Sequence, residues 1–210
     1  MKFFRFDFLD LACRQTGLIL SRKANGFSLI ELMVAVGILI LINTMIFAKY
    51  PEFSQKMALK RTSEEIALTA RQAQAYALGI KRSASGGGDY FGFGIHFDKS
   101  PAKSKSLVLF ADSNSNKIYN AGVGCGNTGA TECFQEFKIN TGDYISDLKK
   151  CDSKDICSSD SALDVVYPRA SSIATINNSS GVSYARVTIK SPGGKEKYIK
   201  IWISGQISVN

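Results

Sequence analysis

The chain has 210 residues, of which 45% are hydrophobic, and a formal charge of +8. That length allows one compact domain plus an extended element, and the charge is too small by itself to indicate a nucleic-acid partner. A single histidine, His96, excludes any His-pair metal site and leaves little for a catalytic triad.

Residues 1–25 mix aromatic and charged side chains and carry five basic residues (Lys2, Arg5, Arg14, Arg22, Lys23) against Asp7 and Asp10. They read as a cytoplasmic leader. The run from Gly26 to Phe47, GFSLIELMVAVGILILINTMIF, then carries one charge, Glu31. As a helix, the 21 residues from Phe27 to Phe47 reach the ~30 Å of a bilayer core. An acid inside such a segment costs roughly 2.5–3.5 kcal/mol on insertion scales, so it marks a function rather than an anchor. An ordinary secretory signal fits poorly: its apolar core is about 7–15 residues long, and Ala48-Lys49-Tyr50 is a weak cleavage site.

Flanking charge leaves the orientation open. Arg14, Arg22 and Lys23 precede the span, and Lys49, Lys56, Lys60 and Arg61 follow it. The whole leader and the distal cysteines favour an inside N-terminus and an outside C-terminus. Pro51 is expected to kink or perturb the helix, because it lacks an N–H and clashes with the preceding turn. Beyond it, Glu52–Arg82 is rich in helix formers. Leu59, Ile66, Ala73 and Ile80 recur every seven residues with Ala70 and Ala77 beside them, a stripe to be packed on the chain's own globular domain.

Ser83–Gly88, SASGGG, stops the helix and acts as a flexible joint. Strands follow. Phe91, Phe93, Ile95 and Phe97 alternate with Tyr90, Gly92, Gly94 and His96, which predicts a strand with one buried face. Leu107–Ala111 reads as a short buried strand, and 134–139 and 163–167 as weaker ones. Ala185, Val187 and Ile189, then Ile199, Ile201 and Ile203, alternate with polar residues on either side of Ser191-Pro192-Gly193-Gly194, which predicts a hairpin closed by a type II turn. The fold class is therefore α+β. A long N-terminal helix, transmembrane in its first half and amphipathic in its second, precedes an antiparallel β-sheet globular domain. The expected divisions are a leader (1–26), a membrane helix (27–47), its amphipathic continuation (48–82) and a β-rich extracytoplasmic domain (83–210).

Of the five cysteines, Cys13 lies in the leader and Cys125, Cys133, Cys151 and Cys157 lie in the β domain. An even set at short spacings fits disulfides in an oxidising compartment. Three pairings are open, and the local ones, Cys125–Cys133 and Cys151–Cys157, are preferred because they close small loops. The C-x7-C and C-x5-C spacings disfavour zinc. GCGNTG at 124–129 matches a dinucleotide motif only formally, since it follows no clear strand and opens no helix; it reads as a loop. Asp112, Asn114 and Asn116 copy the donor spacing that opens a calcium loop, but Lys117 stands where glycine belongs and Val123 where the closing Glu belongs. The reading preferred is a tight Asx turn, with Ca2+ as the alternative and otherwise neither metal nor cofactor. Lys99, Lys103 and Lys105, with Lys190, Lys195, Lys197 and Lys200, form clusters that read as a solvated surface in preference to a DNA-contacting patch. No Walker motif, no convincing acid pair and no nucleophile with a base are found, so no enzyme is expected.

GFSLIEL resembles the processing site of type IV prepilins and type II secretion pseudopilins, and the first 55 or so residues look like that family's signal and N-terminal helix. The resemblance implies that a membrane prepilin peptidase cuts between Gly26 and Phe27 and methylates Phe27. It also implies that Glu31 pairs with the amino terminus of a neighbouring subunit, which would make the buried charge tolerable. Lys23-Ala24-Asn25 departs from the family by placing the basic residue farther from the glycine, and Pro51 sits close to a proline familiar in pilins. ALTARQAQAYALGIKR at 67–82 and the terminal IKIWISGQISVN are similar to the minor pseudopilin H and FimT-like branch. The implied function is a structural subunit of a type IV pilus or type II secretion filament, residing in the bacterial inner membrane before assembly. Its implied partners are other pilin or pseudopilin subunits, the peptidase, the inner-membrane assembly platform and lipid. A DNA-binding minor pilin and an unprocessed single-pass membrane protein are the competing readings.

Overall fold

Helix α1 spans Leu29–Leu78 in the computed structural model of the chain, which describes residues 26–79, 90–122, 125 and 132–210. The leader, Ile80, the SASGGG joint, Val123 and all of the 124–129 run except Cys125 lie outside the described residues. The chain divides into two compact units, Met1–Ile46 and Phe47–Asn210. Pro51 lies inside α1 and does not end it. The missing N–H would have bonded the carbonyl of Phe47. A lost bond of this kind costs about 3 kcal/mol, and strong helix formers on its C-terminal side carry the helix onward.

In the first unit the described residues are all exposed. In the second, α1 presents Leu59, Thr62, Ser63, Ile66, Ala67, Thr69, Ala70, Ala73 and Ala77 as its buried face. These residues fall at helical spacing around the sequence-read stripe. Because four of them are alanines, the helix backbone can come close to what it packs on.

What it packs on is a pair of five-stranded antiparallel sheets. The first has the order β3-β2-β1-β6-β7, from β1 (Gly92–Asp98), β2 (Ser106–Asp112), β3 (Cys133–Lys138), β6 (Ala162–Pro168) and β7 (Thr175–Ile176). The second has the order β10-β9-β8-β4-β5, from β4 (Tyr144–Cys151), β5 (Cys157–Asp160), β8 (Tyr184–Lys190), β9 (Glu196–Trp202) and β10 (Ile207–Val209). Period-2 alternation sends Phe93, Ile95, Phe97, Leu107, Leu109, Leu163, Val165 and Tyr167 of the first sheet inward. Ile145, Leu148, Ala185, Val187, Ile189, Ile199 and Ile201 come in from the second, forming one core with the helix stripe.

Both ends of this contact are specified by side chains. Near residue 62, the Thr62 hydroxyl lies 2.8 Å from Asp143 Oδ2 and 2.7 Å from the Thr141 hydroxyl, which itself donates to Asp143 at 2.6 Å. Asp143 is 1% exposed, so these hydroxyls are what makes its burial tolerable. Near residue 76, Tyr76 meets Phe93 and Phe134 edge to face at 5.5 and 5.6 Å.

Two local expectations are corrected. The β8–β9 turn is not type II: Gly194, rather than Gly193, has the positive φ (82°), and Gly194 N–H donates to Ser191 at 2.9 Å. This is a type I turn followed by a left-handed glycine, a geometry that suits a twisted hairpin. Strand β1 is also buried on both faces rather than one. Phe110 lies over Gly94, where a Cβ would sit 2.7 Å from its ring. His96 on that second face is half-buried and hydrogen-bonded: its Nδ1 is 2.7 Å from Asp164 Oδ1, and its ring lies tilted against Tyr119 at 4.8 Å.

Opposite effects are expected from two core hydroxyls. Thr62→Val leaves Asp143 with one hydroxyl fewer and should cost about 1–3 kcal/mol. The Tyr167 hydroxyl is buried without a hydrogen-bond partner among the described residues, so Tyr167→Phe should be neutral or stabilising by up to about 1 kcal/mol. Chemical denaturation of both variants checks the pair.

Candidate functional site

The N-terminal site is built on the first turn of α1. Gly26, Phe27 and Ser28 precede the helix, and Leu32 N–H donates to the Ser28 carbonyl at 3.1 Å. Phe27 is 81% exposed. Among the described residues no atom lies within 4 Å of where a Cβ on Gly26 would stand, so none of them requires glycine there.

Glu31 is the acid of the first turn. Ser28 and Glu31 have the S-x-x-E spacing of a capping box, yet neither reciprocal bond is present among the described residues, and Glu31 has no partner there. An acid facing the helix dipole gains about 0.3–1 kcal/mol. That is well below the roughly 2.5–3.5 kcal/mol of placing an acid in hydrocarbon. Local helix energetics thus do not account for Glu31. The two polar residues deeper in the run behave differently. Asn43 Nδ2 donates to the Leu39 carbonyl at 2.7 Å and Thr44 Oγ1 to the Ile40 carbonyl at 2.8 Å, so their polar atoms are satisfied inside the helix. Among the described residues, α1 is the helix long and apolar enough to cross a membrane, and its apolar window is fully unburied.

The second group of sequence-selected residues lies on the outer face of the first sheet. Asp112 ends β2, and the turn after it folds so that Asp112 Oδ2 accepts Lys117 N–H at 3.2 Å. Asn114 and Asn116 accept the N–H groups two residues on, at 3.0 and 2.9 Å. Lys117 adopts φ 60°, so the absence of glycine at this position does not prevent the left-handed turn. The sequence reading missed Glu132, whose Oε1 accepts Ser113 N–H and whose Oε2 accepts Asn120 N–H at 2.8 Å. Its only signal lay in the strand pairing, since Ala111 N–H donates to the Glu132 carbonyl. Burial, with the negative charges of Glu132, Glu136 and Asp164, raises the Tyr119 phenol above its usual range.

Disulfides join Cys125 to Cys133 and Cys151 to Cys157. The first ties the chain beside Glu132. The second joins neighbouring strands β4 and β5, with Arg186 Nη2 at 3.1 Å from Cys157 Sγ.

Most of the clustered lysines are engaged. Lys99 and Lys149 lie 3.5 and 3.0 Å from Asp147, Lys103 3.7 Å from Asp98, and Lys190 2.9 Å from Glu196. Lys195 pairs with Glu52 of α1. Lys200 lies over the rings of Tyr184 (4.6 Å) and Trp202 (5.6 Å). Lys105 and Lys197 form no ion pair among the described residues. Five of these seven lysines thus meet an acid or an aromatic ring.

Residues 21–42 match the family described as the prokaryotic N-terminal methylation motif. No curated protein and no solved structure matches the chain. The matched segment contains Gly26, Phe27 and Glu31, so the N-terminal region with its apolar helix is similar to that of type IV pilin-like, membrane-anchored chains.

The lysine-paired acids set a pH dependence. Burial pushes the Asp147 carboxyl up, but hydrogen bonds from Ser159, Lys149 and Leu148 and the Lys149 charge outweigh it and hold it below 3.8. Asp98 is likewise lowered: burial opposes, and Ser100 N–H and Lys103 prevail. Folded values below the unfolded one mean that the stabilisation is complete above about pH 5 and is lost as pH falls through the folded values. Thermal melts at constant ionic strength should therefore show Tm falling below about pH 4, with a shallower fall in Asp147→Asn.

Proposed function

We propose that the chain is the precursor of a minor structural subunit of a type IV pilus or type II secretion filament, processed between Gly26 and Phe27. One observation carries the reading furthest. Glu31 has no partner among the described residues and stands in the first turn of a helix that is otherwise uncharged to Phe47, inside the segment that matches the methylation motif. Cleavage before Phe27 creates an amino group near the start of each helix. A neighbouring copy's Glu31 can pair with that group when two such helices pack, and this removes the cost of burying the acid alone.

The remaining features fit the same role. No described residue makes a packing demand on Gly26, which is compatible with a glycine kept for a peptidase. The exposed apolar face suits lipid first and other subunits afterwards, with the inner-membrane assembly platform as the point of transfer. The similarity of 67–82 and of the terminal strand to the pseudopilin H and FimT-like branch favours a minor over a major subunit. The subunit performs no catalysis in this reading. The paired state of the surface lysines gives the DNA-binding alternative little support.

The deciding measurement is mass spectrometry of the protein purified from cells with an active prepilin peptidase. The expected N-terminus is N-methylated Phe27, and an intact leader overturns the proposal. Glu31→Ala should still be processed yet fail to enter filaments; normal incorporation would remove the pairing role.

A further inference from the structure

The Asp112 carboxylate has an unresolved electrostatic need. Asp112 is 2% exposed and Glu132 5% exposed, and both bond into the same turn, 113–120. Neither forms an ion pair with any described residue. Asp112 Oδ2 is taken by Lys117 N–H, while Oδ1 of the same carboxylate is buried and has no hydrogen-bond partner among the described residues. An uncompensated buried charge costs several kcal/mol, and here two of like sign converge on one short loop. Backbone N–H groups offset part of that cost. They leave the Oδ1 lone pairs unused and both charges uncancelled.

A cation would supply what is missing, and the chemistry of the donors decides which one. No three His, Cys, Asp or Glu side chains form a metal cluster among the described residues, so a thiolate- or imidazole-seeking metal has no site here. What the turn offers is oxygen alone: Asp112 Oδ1, the side-chain oxygens of Asn114 and Asn116, which keep a lone pair beyond their turn bonds, and Glu132 Oε2. Asp112, Asn114 and Asn116 stand at positions 1, 3 and 5 of a calcium-loop pattern, and position 7, which contributes a backbone carbonyl in such loops, is Ile118. The closing acid absent at Val123 is replaced across the β2–β3 ladder by Glu132.

We propose that the turn Asp112–Asn120, closed by Glu132, binds Ca2+. An all-oxygen set on a turn of adaptable width suits calcium better than magnesium, which requires near-ideal octahedral geometry and gives up its waters reluctantly. With only two carboxylates, the affinity falls in the weak class of extracellular modules, about 10⁻⁴–10⁻³ M. The site uses residues of the β domain alone and does not depend on the filament reading.

Terbium alone is the probe, with Tyr119 in the same loop as its antenna. On the full chain in detergent micelles, Tb3+ should give tyrosine-sensitised emission that Ca2+ displaces. Ca2+ at about ten times the dissociation constant should raise Tm by several degrees. Tyr119→Phe should lose most of the emission but keep the Ca2+-dependent rise in Tm. Asp112→Asn and Glu132→Gln should lose both. If these core variants fail to fold, Asn114→Ala, on an exposed side chain, should fold and bind Ca2+ several-fold more weakly. Absence of both emission and a Ca2+-dependent rise in Tm in the unaltered chain overturns the proposal. So does an equal rise with Mg2+, or unchanged Ca2+ binding in Asn114→Ala.

Discussion

The distal part of this protein depends on how closely one helix face approaches two sheets at once. Ala67, Ala70, Ala73 and Ala77 keep that face nearly flat beyond the larger Leu59 and Ile66. The sheets answer with alternating Ile, Val, Leu and Phe. Larger side chains at the alanines would hold the sheets apart and open voids around Val187, Ile189 and Ile201, which interiors at native packing density do not tolerate. Register along the helix is set by more specific contacts, the Thr62–Thr141–Asp143 hydroxyl–carboxylate group near one end and the Tyr76–Phe93–Phe134 rings near the other.

Helix α1 meets two sets of demands along its length. After Pro51 it obeys the rules of an amphipathic helix on a globular core. Before Pro51 it is apolar all round, and its polar residues Asn43 and Thr44 turn inward to their own backbone. Glu31 departs from that rule. Its charge finds no partner among the described residues, and that imbalance directs attention to a second copy.

A comparable imbalance sits on the outer face of the first sheet. There Gly94 leaves room for Phe110, which with His96, Tyr119 and the turn after Asp112 forms a second, partly polar layer. Chain topology places Glu132 beside that turn, and the Cys125–Cys133 disulfide ties the neighbouring chain. Charge left uncancelled among the described residues is the common thread of the two sites.

Local pattern alone determined much of this protein. The 21 residues from Phe27 to Phe47, Glu31 within them, the heptad-spaced stripe and the existence of strands β1, β8 and β9 are all short-range periodicities, and short-range periodicity is what sequence records directly. Tertiary structure decided what depends on residues far apart in the chain. It brought Glu132 to a turn that by sequence lacked its closing acid, paired His96 with Asp164, and covered the second face of β1. It also moved the left-handed glycine of the hairpin from Gly193 to Gly194. Each of these follows from strand pairing, and pairing joins residues whose separation along the chain carries no periodic signal.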